Sequence, residues 1–110
     1  MNSMTKKYLL WCAVLTTPAL AQESPEALIA TKRCNACHEM SAPSLGPPWQ
    51  AIAARHARKQ LMGQVLTHKI VEGGGGNWGN VPMVPNQRVS YEEAGRMAAW
   101  ILMQSTGTTQ

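Results

Sequence analysis

The chain of 110 residues contains no phenylalanine, and beyond residue 21 its aromatic residues are only Trp49, Trp78, Tyr91 and Trp100. A core filled mainly by aromatic rings is therefore excluded. Long apolar runs are missing too. The most apolar stretch, Tyr8 to Leu15, is far shorter than the ~20 residues a membrane-spanning helix needs. A clustered charge of one sign is also absent. Arg55, Arg58 and Lys59 form a short run on one expected helix, which reads as a solvated face. Nucleic-acid binding needs a concentrated basic surface, so no nucleic-acid partner is expected. There is no internal repeat, and the only low-complexity tract is Gly73 to Gly76.

What is present begins with a leader. Lys6 and Lys7 precede the apolar run, and Ala19-Leu20-Ala21 puts small residues where a signal peptidase reads. Residues 1–21 are expected to be a cleaved secretory signal, with residues 22–110 as one domain and Gln22 as its first residue. Cys12 belongs to the leader, and Trp11 before it is too bulky for a lipoprotein site. No stable membrane insertion is expected after cleavage. Losing Lys6 and Lys7 lowers the formal charge from +4 to +2. A domain of roughly 90 residues is hard to stabilise by apolar burial alone and often recruits a staple. With so few aromatics, a large apolar group is missing from this core.

The pattern predicts an all-α fold of four short helices, with no convincing strand. Ser24-Pro25-Glu26 is a helix start, with a hydroxyl cap, proline in the first turn and an early acid. That helix carries Leu28 and Ile29 inward and ends near Cys34. His38 to Pro48 is loop, because Pro43, Gly46, Pro47 and Pro48 interrupt regular structure. A second helix is expected from about Pro48 to Ala57. A third runs from about Lys59 to Val71, with Leu61, Met62, Val65, Leu66 and Ile70 at helical spacing, and stops at the glycines. Gly73 to Arg88 is a loop long enough to be functional. Ser90 and Glu93 form a capping box opening the last helix, whose buried face is Ala94, Met97, Trp100 and Ile101. Ser105 to Gln110 reads as a frayed tail.

The chemistry is concentrated in Cys34-Asn35-Ala36-Cys37-His38. Two thiols three residues apart can each add across one vinyl group of a haem. The histidine after the second cysteine then binds iron through its imidazole. The oxidising compartment implied by the leader agrees with this. A Cys34–Cys37 disulfide would close a tiny loop and stabilise little. A thioredoxin-like pair needs a βαβ context, and a zinc site needs a second pair of ligands, for which only His56 and His68 remain. One covalent haem c is thus the expected cofactor, and its two propionates bring the net charge close to neutral.

The second axial ligand is to be found among Met40, His56, Met62, His68, Met83, Met97 and Met103. Met62 and Met97 fall on inward helix faces and suit core filling. Met40 is too near the attachment site, and Met103 lies near a helix end. His56 and His68 fit ordinary helix-surface positions. Met83 stands between Pro82 and Pro85, whose rigid flanks can hold a thioether toward iron, and it is the preferred candidate. A distal histidine is second.

The run Gly75-Gly76-Asn77-Trp78-Gly79-Asn80-Val81-Pro82-Met83-Val84-Pro85-Asn86 resembles the methionine loop of small bacterial class I cytochromes c. These are monohaem electron carriers that serve periplasmic reductases and oxidases. The resemblance extends from the Ser24 helix to the Trp100 helix. It implies the cytochrome c fold, with His38 and Met83 as axial ligands. It further implies that the Pro47 carbonyl holds the free ring nitrogen of His38. Trp78 would donate its indole N–H to a haem propionate, and Asn86 would hydrogen-bond near the Met83 sulfur. The family often has glycine before the first cysteine and an aromatic in the first helix, where this chain has Arg33 and Ile29. Leu28 or Ile29 against Trp100 would then join the first and last helices.

The function expected is a periplasmic one-electron carrier, not an enzyme. It would be a monomer, with a dimer as the alternative, meeting redox proteins through small transient interfaces with only mild salt dependence. The alternatives are a haem c subunit of a larger periplasmic redox enzyme, and a haem sensor or enzyme in which Met83 is labile.

Overall fold

The computed structural model describes residues 12–105; residues 1–11, in the expected leader, and residues 106–110, in the expected tail, lie outside them. The described residues form four α-helices, α1 Pro25–Thr31, α2 Trp49–His56, α3 Met62–Glu72 and α4 Tyr91–Leu102, with a short 3-10 turn at Cys34–Ala36. Among the described residues there is no strand, only an isolated antiparallel bridge between Gly74 and Met83.

The helix starts follow from their caps. Ser24 Oγ accepts from the Ala27 N–H with proline in the first turn. Ser90 and Glu93 close a reciprocal capping box, which satisfies backbone donors that a helix start otherwise leaves bare. Pro48 has no such side chain at the α2 start. There the incoming loop supplies acceptors, and Trp49 and Gln50 donate to the carbonyls of Glu39 and Met40. The segment following the CxxCH motif is thereby fastened to the head of α2.

α3 begins later than the apolar spacing predicts. Leu61 is not on its inward face: it precedes the helix at φ 64 and is 68% exposed. Leu61 adopts a left-handed backbone between α2 and α3, at a cost of roughly 1–2 kcal/mol for a side chain with a Cβ. Val65 is also exposed, whereas Ile70 is buried. The apolar period therefore identifies the helix but not its first turn.

α4 is the hub and packs against α1, α2 and α3. Ala94, Met97, Ala98 and Ile101 face Leu28 and Ile29 of α1, Trp49 and Ile52 of α2, Ile70 of α3 and Val89. Leu28 and Met97 are its largest fully buried side chains. Trp100 is only half-buried, packs at the edge of this cluster, and donates its indole N–H to Glu26 at 2.8 Å. The joint between the first and last helices is thus Leu28 and Ile29 packing, supplemented by that polar bond.

Candidate haem site

The CxxCH motif occupies the 3-10 turn after α1. Arg33 precedes it at φ 64, a backbone state that favours glycine. Cys34 is half-buried and Cys37 exposed, and they are free thiols with no bond between them. Burial, the largest influence, pushes the Cys34 thiol pKa up. A buried neutral thiol is a poor metal ligand and a poor redox nucleophile. Among the described residues no three His, Cys, Asp or Glu side chains gather to hold a metal ion.

His38 is the one buried polar side chain of the described core. Its Nδ1 lies 2.7 Å from the carbonyl oxygen of Pro47, so Nδ1 carries the proton and Nε2 keeps its lone pair. The imidazole stacks on Trp49 at 4.5 Å. Beneath it Gly46 leaves no space, since a Cβ there would sit 2.6 Å from His38 Cε1. The Gly46 N–H also donates to the Cys37 carbonyl at 2.7 Å. The Gly46-Pro47 pair therefore fixes the ring from two directions.

Beside these residues opens a cavity of about 590 Å³, within the range of roughly 300–1,000 Å³ typical of small-molecule sites. Its walls include Cys34, Cys37, His38, Pro47, Trp78, Met83 and Asn86, which brings all seven expected site residues together. Trp49, Ile52, Leu66, Ile70, Met97 and Ile101 supply apolar lining. Of the candidates for the second axial position, only Met83 and Met97 line it. Met97 is fully buried in the core cluster, whereas Met83 comes from the loop and keeps 37% of its surface exposed. Met40 and Met103 are exposed, and His68 faces Tyr91 in a separate shallow groove between α3 and α4.

The glycine run does more than stop α3. Gly74 and Met83 exchange two backbone hydrogen bonds, of 2.9 and 2.7 Å. Gly73, at φ 73, lies so close that a Cβ would strike the Met83 carbonyl oxygen. The loop is held at its other end by Asn86, whose Nδ2 donates to Lys32 O at 3.1 Å while Oδ1 accepts from the Arg88 N–H. The Asn86 backbone N–H donates in addition to the Val71 carbonyl at 3.2 Å.

Arg55 is not the freely solvated charge that the sequence implies. It donates to the Asn77 carbonyl at 2.7 Å, and its guanidinium lies 4.6 Å from the Trp78 ring centroid. The His56 ring meets Trp78 edge-on at 6.2 Å. Sequence reading missed this clamp, because no spacing rule connects the end of α2 to a loop more than twenty residues later. Apart from Lys32, Arg33, Lys69 and Arg88, no charged side chain lines the cavity.

The residues present fit a haem. There is an apolar slot, two free thiols at its wall, and an imidazole with one nitrogen tied and one available. The chain is similar to cytochrome c-551 of Pseudomonas aeruginosa, 38% identical over 103 residues that cover 90% of this chain and 98% of that one. It is 40% identical to cytochrome c-552 of Hydrogenobacter thermophilus, over 88% of this chain and 96% of that one. The chain belongs to the small class I monohaem cytochromes c. The crystal structure of cytochrome c552 from Nitrosomonas europaea superposes with a TM-score of 0.69 at 38% identity, over 71% of this chain and 96% of that one. No protein-family model matches the chain. Membership makes it an electron-carrier cytochrome with covalent haem c, and the expected all-α cytochrome c fold is the one observed. The subunit alternative is not favoured, since the relatives are small cytochromes that this chain covers almost end to end.

Proposed function

We infer that this cytochrome is a periplasmic one-electron shuttle whose haem is attached through Cys34 and Cys37 and ligated by His38 and Met83. The observation carrying this reading is that one cavity is walled by both the CxxCH turn and a methionine whose backbone is bridged to Gly74. When bound, the haem supplies an iron that alternates between ferric and ferrous states. The chain's own residues do the rest. His38 is oriented by Pro47, a contact that also raises the basicity of Nε2. Met83 offers a soft sulfur that favours the ferrous ion. Trp78, a wall of the cavity, would present its indole N–H to a propionate. Asn86 retains a second amide hydrogen for the Met83 sulfur. His38 and Met83 together would hold the iron from the protein side and would leave it no position for a substrate, as a carrier requires.

The boundary of the exported domain is supported by contacts. Residues 12–21 are exposed and without helix or strand, and Leu20 is 95% exposed. Gln22 is the first residue bonded to the body, through Glu92 and Arg96. Among the described residues, cleavage after Ala21 would remove none that is hydrogen-bonded to the body. No helix among the described residues is long and apolar enough to cross a membrane. Partners are redox proteins that dock at the cavity mouth, where Leu45, Val81 and Val84 are exposed. Such encounters bury little surface and dissociate readily. A monomer satisfies this function.

The test is a visible spectrum of the matured protein, oxidised and then reduced with dithionite. Sharp c-type bands plus the weak far-red band of methionine-bound ferric iron are expected, and Met83→Ala should abolish only the latter. A wild-type spectrum without that band removes Met83 from the site, and absence of haem removes the reading altogether.

A further inference from the structure

His56 is the least explained side chain near the site. It closes α2, is half-buried, and its ring meets Trp78, a wall of the cavity. Its Nδ1 is shut away from solvent with no hydrogen-bond partner, an arrangement that buried polar atoms rarely tolerate. The charges acting on it are all positive: Lys59 in the following turn, Arg55 on the same helix and Lys69 on α3. No carboxylate is among them. Arg55 and His56 together grip Trp78, one with the face of a guanidinium and the other edge-on.

We propose that His56 is a proton-binding site coupled to the electron, taking up a proton when the iron is reduced and giving it back on oxidation. The inference rests on the haem reading above. The cause is electrostatic. Reduction removes one positive charge from the neighbouring cavity, so an imidazolium one ring away meets less repulsion. The electron comes from the donor protein and the proton from bulk solvent. The proton adds to the imidazole lone pair to form an N–H bond, and that bond breaks on oxidation. By linkage, the effect is reciprocal: a protonated His56 makes the iron easier to reduce. Burial first, and then Lys59, Arg55 and Lys69, hold its pKa below the ordinary 6.5. The exchange therefore operates on the acid side of neutrality, where an exported protein meets an environment that the cell does not buffer.

The experiment uses the holoprotein. The ring resonances of His56 are followed by NMR from pH 4 to 8 in the ferric and ferrous states, and the midpoint potential is measured over the same range. Proton binding to His56 should be at least about threefold tighter in the ferrous state. At roughly 59 mV per decade for one electron, this corresponds to about 28 mV of potential gained on acidification. His56→Gln and His56→Phe should remove that part of the pH dependence and leave the part due to propionates. Equal His56 midpoints in both oxidation states overturn the proposal, as do superimposable potential curves for wild type and His56→Gln. If either variant loses haem ligation, the wild-type NMR comparison alone decides. Absence of the far-red methionine band would count against Met83, not against His56, because the NMR comparison needs only a redox-active haem.

Discussion

Gly46→Ala isolates the packing beneath the proximal imidazole. The added methyl carbon would lie 2.6 Å from His38 Cε1 and 2.8 Å from Nδ1, well inside van der Waals contact. Trp49 stacks on the imidazole and limits its retreat. Relief has to come from tilting the imidazole, which stretches the 2.7 Å contact to Pro47 O. Overpacking of this kind costs about 1–3 kcal/mol, and a buried hydrogen bond adds roughly 0.5–1.5 kcal/mol. The total expected is about 2–4 kcal/mol, read as a lower guanidinium midpoint for the ferric holoprotein. A second signature separates this from generic damage. Weakening the Nδ1–H bond lowers the basicity of Nε2 and disfavours ferric iron, so the reduction potential should rise. Gly95→Ala is the counterpart. Gly95 lies inside α4 with only Thr67 Oγ1 near the added carbon, at 3.9 Å, so alanine there should stabilise by about 0.5–1 kcal/mol. Equal midpoints and potentials for Gly46→Ala and wild type would refute the reasoning.

Other perturbations reach other parts of the molecule. Ser90→Ala removes half of the capping box and should cost about 1 kcal/mol in denaturant unfolding; an unchanged midpoint would mean that α4 is held by packing alone. Arg55→Gln frees Trp78 and the Asn77 carbonyl, and should cost about 1–2 kcal/mol by cation–π and charged hydrogen-bond values. Hydrogen exchange in residues 74–86 should quicken with it, and uniform exchange across the chain would contradict a local clamp. Stability should fall on acidification in two stages. His56 has a depressed pKa, so the unfolded chain binds more protons and stability is lost from about pH 6.5 downward. Glu93 is also held low, chiefly by the Ser90 N–H, and its contribution is lost as pH falls below 4.5. A midpoint independent of pH between 4 and 8, or one that His56→Gln leaves equally steep near pH 6, would oppose this assignment.

Much of the architecture was legible because local signals and tertiary packing agree. The Ser24 and Ser90 caps are short-range chemistry, and the α4 apolar face, Ala94, Met97 and Ile101, is buried as its spacing requires. Trp100 departs from that pattern because Glu26 gives its indole N–H a partner at the surface. Leu61 departs because its left-handed backbone puts it ahead of the first turn of α3, a conformation that periodicity does not reveal and that a leucine does not advertise. The seven expected site residues line one cavity. The signals that singled them out, CxxCH and a methionine loop between prolines, are short-range patterns readable along the chain. The Arg55–Trp78 clamp and the place of His56 were not legible, since both depend on where a loop lands against a helix end.

The shortage of aromatic residues and the size of the cavity are one physical fact. Trp49, Ile52, Ile70, Met97 and Ile101 belong both to the hydrophobic core and to the cavity lining. Without an apolar occupant, one side of that core faces a void or water. Leaving the apolar wall of this cavity of about 590 Å³ against water forfeits about 25 cal/mol for each Å² that a haem would cover. A domain of this size has only about 5–15 kcal/mol of net stability in total. A chain unable to attach haem, such as Cys34→Ala with Cys37→Ala, is therefore expected to lack fixed tertiary structure. Its near-ultraviolet circular dichroism should be lost and its denaturation should show no cooperative transition. Cooperative unfolding of that haem-free variant, with native-like tryptophan signals, would mean that the helices close the cavity by themselves. The haem would then be a passenger on the fold and not part of its core.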